Sequence, residues 1–138
     1  MKEVFTTLSP EETENLGRKF AERLSSGSVV VLTGELGGGK TTFVKGLAKG
    51  LGVKGYVKSP SFTILHIYEG GRLPLYHIDL YRIADARELH NLGLEEYIYG
   101  SGVSVIEWGE RMGELLPEAA FRIEFFYEGE EKRRIEVG

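Results

Sequence analysis

The residues Gly34-Glu35-Leu36-Gly37-Gly38-Gly39-Lys40-Thr41 follow the spacing G-x-x-x-x-G-K-[ST], and each residue type in that pattern answers a chemical need. Glycines permit positive φ, so successive backbone amides can wrap around a cluster of oxygens. The start of the helix that follows the lysine adds its own free amides and its dipole to the same field. A polyphosphate is the ligand such a cradle suits. Lys40 is then placed to neutralise β- and γ-phosphate charge, and the Thr41 hydroxyl to take a position on Mg²⁺. Thr42 is the neighbouring hydroxyl, better suited to an amide of the first helical turn. A merely flexible turn between strand and helix would not require the lysine, the hydroxyl and both flanking elements together.

A magnesium nucleotide calls for an acid beyond the loop threonine. Two carboxylates close β-rich runs: Glu107 ends Val103-Ser104-Val105-Ile106-Glu107, and Asp79 lies in Tyr76-His77-Ile78-Asp79-Leu80-Tyr81-Arg82. Either could instead be a surface carboxylate in an ion pair, Asp79 with Arg82. Glu107 is the stronger candidate, because it would emerge at the carboxyl edge of a sheet, where ligands of open α/β folds bind. Trp108, the single tryptophan, follows it directly; ordinary packing is the commoner role for such a residue, and a stacking platform for a base the rarer one. His66, His77 and His90, eleven and thirteen residues apart, fit no compact metal motif and read as ordinary side chains. Arg72, Arg82, Arg87 and Arg111 are each candidates to reach a transferring phosphate, with nothing local to single one out. The N/T-K-x-D element that reads guanine in GTPases is absent, which favours ATP.

These residues need elements to hold them. Ser9-Pro10-Glu11-Glu12 is a capping box that starts a helix, continued by Leu16, Phe20 and Leu24 on one face and ended by Ser25-Ser26-Gly27. Val29 to Leu32 is an unbroken apolar run, as expected of a strand covered on both faces. It leads into the glycine loop, after which Thr41 to Leu51 is predicted to be a helix with Phe43, Val44, Leu47, Ala48 and Leu51 inward and Gly52 as its stop. Phe62 to Tyr68 and Leu73 to Leu80 flank Glu69-Gly70-Gly71-Arg72 as a hairpin, preceded by a loop at Lys58-Ser59-Pro60-Ser61. Ala84 to Tyr99, with Leu89, Leu92, Leu94, Tyr97 and Ile98, reads as two short helices split at Gly93. Val103 to Glu107 is a further strand, and Phe121 to Tyr127 with Lys132 to Val137 form a last hairpin.

The composition sets bounds on all this. A chain of 138 residues has the size of one domain, 1–138, large enough for an ordinary core. It has no cysteine, which excludes disulfides, thiolate metal sites and a cysteine nucleophile. Its net charge of −4 argues against a DNA-binding or strongly RNA-binding surface. No apolar stretch approaches the roughly 20 residues that span a bilayer, and Met1-Lys2-Glu3-Val4 is not followed by the apolar core of a secretory signal. The expectation is a cytoplasmic chain without membrane contact. Its 19 glycines are about twice the usual share.

Four blocks, in this order and spacing, make the sequence similar to the bacterial TsaE (YjeE) family: Gly34 to Phe43, Val57-Lys58-Ser59-Pro60-Ser61-Phe62-Thr63, His77-Ile78-Asp79-Leu80-Tyr81-Arg82 and Ile106-Glu107-Trp108. The likeness extends over nearly the whole chain. The phosphate loop is generic to NTPases, whereas the other three blocks together are specific. Gly38 stands where the family favours alanine, and Glu107 takes the place of a conventional Walker B aspartate. The resemblance implies an α/β, P-loop NTPase-like three-layer sandwich whose mixed central sheet includes antiparallel hairpins. It also implies a small ATPase assisting synthesis of threonylcarbamoyladenosine in tRNA, bound to a TsaB–TsaD heterodimer and meeting tRNA through that complex. ATP hydrolysis would reset the complex between turnovers. By the same carry-over, Glu35, Leu36, Gly37, Gly38, Gly39, Lys40, Thr41 and Thr42 fall at the nucleotide, and Thr41 and Glu107 at Mg²⁺. Lys40, Asp79 and Glu107 fall at catalytic positions, with Trp108 beside the nucleotide and Thr7 and Ser9 towards its base. Ser59 to Thr63 resembles a switch segment responsive to the γ-phosphate. A small-molecule kinase and a nucleotide-gated binding module are the competing readings of the same loop.

Overall fold

The computed structural model describes residues 2–34, 38–55, 64–81, 83, 85 and 87–138. Seven strands form one sheet: β1 (Glu3–Thr7), β2 (Val29–Gly34), β3 (Leu65–Tyr68), β4 (Leu75–Asp79), β5 (Val103–Glu107), β6 (Phe121–Tyr127) and β7 (Arg133–Val137). The helices are α1 (Pro10–Phe20), α2 (Lys40–Leu51), α3 (Arg87–Asn91) and α4 (Glu95–Ile98), with 3₁₀ segments at Ala21–Arg23 and Gly109–Leu115. The strand order is β1-β7-β6-β2-β5-β4-β3. β6, β2, β5 and β4 run parallel, and β3, β7 and β1 add antiparallel edges. This is the mixed α/β sandwich expected from the sequence.

Val29 to Leu32 show why β2 lies at the centre. All four are buried, and their alternation sends Val30 and Leu32 to one face of the sheet and Val29 and Val31 to the other. On the first face α1 and α2 cover the sheet. Phe43 of α2 packs against Phe20 of α1 at 5.8 Å between ring centroids and edge-on against Phe125 of β6 at 5.4 Å. Burial of side chains of this size contributes on the order of 1.5–3 kcal/mol each. On the second face Leu94 and Ile98 from the α4 region and Met112 from the 3₁₀ segment meet Ile78 and Ile106.

Several boundaries differ from the sequence expectation. The first helix ends at Phe20, and Leu24 enters the core from extended backbone after a 3₁₀ turn. Ser9 Oγ accepts from the Glu12 amide at 3.2 Å, but Glu12 Oε1 accepts from Leu8 N at 3.0 Å, one residue earlier than the usual box. The Phe62 to Tyr68 run is a strand from Leu65 onward, while Phe62 and Thr63 lie outside the described residues. Leu73 to Leu80 narrows to Leu75–Asp79. The helical stretch 84–99 divides around Gly93, at φ 71° as anticipated, but Leu92 is exposed and not inward. β1 is an additional strand, paired with β7 through Glu3↔Val137 to Thr7↔Arg133.

Candidate nucleotide site at the carboxyl edge of the sheet

β2 delivers the chain to Gly34, and α2 opens at Lys40. Glu35, Leu36 and Gly37 lie outside the described residues, as does the 59–63 segment. Gly39 is the N-cap of α2, with φ 102° and no side-chain cap. Its left-handed backbone favours glycine. The opening amides of α2, Lys40, Thr41 and Thr42 among them, therefore belong to a helix start with no capping side chain of its own, a geometry that draws anions.

Lys40 Nζ donates to the Gly34 carbonyl at 3.0 Å and lies 3.8 Å from Glu107 Oε1. Parallel pairing puts Glu107 level with Leu32 of β2 and with Asp79 of β4. β5 thus carries its terminal acid to the lysine, while Asp79 stands one strand further away. Asp79 Oδ1 accepts from the Tyr81 amide at 2.9 Å and shapes the turn out of β4.

His77, read from the sequence as ordinary, proves to belong to this site. It is fully buried, and its Nε2 is 2.9 Å from Glu107 Oε2. Strand periodicity places His77 and Asp79 on one face of β4, and the β4–β5 register turns that face towards Glu107. The spacing His77-x-Asp79 is the signal the sequence offers, since alternate strand residues share a face. Burial pushes the Glu107 carboxyl up, but the hydrogen bond and charge of His77, followed by Lys40, outweigh it and hold the group below its ordinary range. Glu107 is a carboxylate at neutral pH.

The remaining candidates lie around this pair. Trp108 is the one non-glycine residue with positive φ among the described residues, at 64°. Its partly exposed ring meets Tyr81 at 5.0 Å between centroids, with the Arg111 guanidinium 5.5 Å from the ring centre. Across β2, a small cavity is lined by Pro10, Thr13, Gly39, Thr42, Glu131 and Arg133. Thr7 stands behind it, its Oγ1 2.7 Å from that of Thr13, and Ser9 is engaged as the α1 cap. Arg72 donates to the carbonyls of Ala21 and Leu24 at 3.0 and 3.1 Å. Arg87 pairs with Asp85 at 2.8 Å, and Arg111 donates to the Ile83 carbonyl at 3.3 Å. Arg82 is outside the described residues. No group of three or more His, Asp or Glu side chains gathers into a metal cage among the described residues.

A central parallel strand followed by a helix that opens at Lys40, with Lys40 Nζ 3.8 Å from a strand-end glutamate, defines a P-loop NTPase-like α/β sandwich. The family model described as threonylcarbamoyl adenosine biosynthesis protein TsaE matches residues 7–135, and the chain belongs to that family. The tRNA threonylcarbamoyladenosine biosynthesis protein TsaE of Bacillus subtilis is 45% identical over 129 residues, covering 94% of this chain and 80% of that protein. Its namesake from Treponema pallidum is 46% identical over 129 residues, covering 94% and 95%. The crystal structure of Bacillus subtilis YdiB superposes with a TM-score of 0.84 at 39% identity, covering 99% of this chain and 84% of that one. The family membership places the protein in threonylcarbamoyladenosine biosynthesis. No helix among the described residues is long and apolar enough to cross a membrane.

Proposed function

We propose that the protein is a Mg²⁺-dependent ATPase that serves tRNA N6-threonylcarbamoyladenosine modification in the cytoplasm, acting with TsaB and TsaD to reset their complex between turnovers. The observation that carries this reading is the approach of Lys40 Nζ to Glu107 Oε1, 3.8 Å, at the uncapped start of α2. The donor set suits magnesium: a carboxylate held ionised, a threonine on the first helical turn, and room for phosphate oxygens to complete the shell. Thr41 and Glu107 would hold the ion, which supplies charge neutralisation at the β- and γ-phosphates when bound.

The chain's own residues account for the rest. Lys40, a mobile point charge, exchanges the Gly34 carbonyl for phosphate oxygen. The amides of residues 38–42 and the dipole of α2 bind the negative charge that builds up as the γ-phosphoryl group is transferred in line to water. Asp79 or Glu107 orients that water. Thr7 and Ser9, ahead of α1, stand towards the base, and Trp108, next to Glu107 in sequence, stands beside the nucleotide.

The test is phosphate release from ATP by the chain alone and with TsaB–TsaD, next to Lys40→Ala. The expected result is slow release alone, stimulation by the partners, no phosphorylated acceptor, and about a ten- to hundredfold weaker nucleotide affinity in Lys40→Ala, in line with the loss of a charge-assisted contact. A phosphorylated metabolite would establish a kinase instead. Unchanged nucleotide affinity in Lys40→Ala would remove the reading altogether.

A further inference from the structure

The His77–Glu107 contact has a chemical asymmetry. His77 is 0% exposed. Its Nε2 is matched to Glu107 Oε2 at 2.9 Å, while its Nδ1 is buried with no hydrogen-bond partner among the described residues. Glu107 is ionised and its oxygens can only accept, so Nε2–H donates to Oε2. In this arrangement Oε2 is occupied, and Oε1 is the oxygen turned to Lys40.

The strands fix this geometry. β4 and β5 are paired parallel along their full lengths, from Leu75↔Val103 to Asp79↔Glu107. Ile78 and Ile106, on the opposite face of the two strands, are fully buried and clamp them from behind. Glu107 is consequently held at one oxygen, and its 3.8 Å distance to Lys40 is looser than a closed ion pair at about 2.7–2.9 Å. Without the His77 donor, Glu107 could swing and close on Lys40. That would withdraw from the loop both the carboxylate and the cation that a metal-bound polyphosphate needs.

We infer that His77 is a positioning residue of the nucleotide site: its Nε2–H pins one oxygen of Glu107, presents the other to the ligand, and keeps Glu107 and Lys40 from neutralising each other. The inference rests on the proposed Mg²⁺–nucleotide reading and extends it to a residue that touches neither ligand. Outer partners of metal-binding groups commonly change metal affinity by about ten- to a hundredfold when removed.

Calorimetric binding of ADP, in Mg²⁺ and in EDTA, and of Mn²⁺ followed by its paramagnetic resonance signal, tests it on the intact chain without reference to turnover. Three variants are compared with the native protein: His77→Leu, His77→Gln and His77→Asn. Gln carries an amide N–H at the reach of Nε2, whereas Asn places one near Nδ1, too short for Oε2. The expected result is that Leu and Asn keep ADP affinity in EDTA within about twofold but lose about tenfold or more of the Mg²⁺-dependent gain. Gln should recover most of that gain, and Mn²⁺ affinity should follow the same order. Thermal unfolding identifies any variant that fails to fold; the Gln–Asn pair, both polar, decides the matter if Leu is lost. Equal Mg²⁺-dependent gains in native protein and folded Leu or Asn variants, or a folded Gln variant as impaired as Asn, would overturn the inference alone. Absence of ADP and ATP binding by the native protein would overturn it together with the reading on which it rests.

Discussion

Trp108 shows how much one backbone torsion can decide. At φ 64° and ψ 38° it adopts a conformation that costs an L-residue roughly 1–2 kcal/mol. The turn it makes carries the chain from Glu107 at the end of β5 into the Gly109–Leu115 segment, and its ring gains the contacts with Tyr81 and Arg111. The two contributions separate by comparing small side chains. Trp108→Gly and Trp108→Ala both remove the ring, but only Gly relieves the torsion. Urea denaturation should therefore find Trp108→Gly more stable than Trp108→Ala by about 1 kcal/mol, the reverse of the ordinary helix preference. Equal stabilities would mean that the turn relaxes when the ring is absent. The same position explains why Glu107 is a fixed feature: its carbonyl accepts from Leu80 N at 3.0 Å, so the acid is tied to β4 on its backbone as well as through His77.

Among the elements, α1 and α2 set the depth at which the loop sits. A Cβ at Gly17 would run into the carbonyl of Phe43, and one at Gly46 into that of Glu14. One at Gly50 would come within 2.6 Å of the Arg18 carbonyl. The two helices therefore meet backbone to backbone along the line of these glycines, where the sequence shows only residues that weaken a helix. Gly46→Ala should bring the helix-propensity gain of about 1 kcal/mol and still lower stability, because the overpacking it forces costs about 1–3 kcal/mol. Because α2 starts at Lys40, the displacement is expected to reach the loop, so nucleotide affinity should fall with stability. Urea denaturation and ADP calorimetry on one preparation check both; a stabilised variant would show that α1 gives way freely.

At the scale of the molecule the two faces of the sheet are unequal. On the first face, where α1 and α2 pack, the core runs from Phe5 of β1 to Tyr68 of β3, whereas on the second face it runs only from β2 through β5 and β4 to Leu65 of β3. Beyond it, Arg122, Glu124, Arg134 and Glu136 alternate with inward residues of β6 and β7, joined by Lys2–Glu136 at 3.0 Å and Arg134–Glu136 at 3.1 Å. Opposite charges here neutralise one another and build no basic field. With a net charge of −4, the chain as a whole carries no excess of the cations whose counterion release drives sequence-independent RNA affinity. On the proposed reading, filter binding should detect tRNA retention by TsaB–TsaD with this chain, weakening with salt, and none by the chain alone at about 0.15 M salt. Salt-sensitive retention by the isolated chain would show that it meets tRNA directly.

The central strand and the helix after it are written locally: β-branched run, one lysine and apolar stripe all lie within Val29 to Leu51, so the sequence by itself determined them. The same holds for Glu107 as a strand-end acid, for the hairpin ending in β7 and for the break at Gly93, each set by short-range pattern. What the tertiary structure decided is which distant residues share a face. β1 is short, lies at an edge and is mostly exposed, so it carries little hydrophobic signal and exists because β7 offers it hydrogen bonds. His77 reads as any core histidine until the β4–β5 register sets it against Glu107, thirty residues on. Gly17 and Gly46 likewise gain their meaning only when two helices cross. Register and helix approach depend on contacts between segments far apart in the chain, and no local pattern encodes a distance between them.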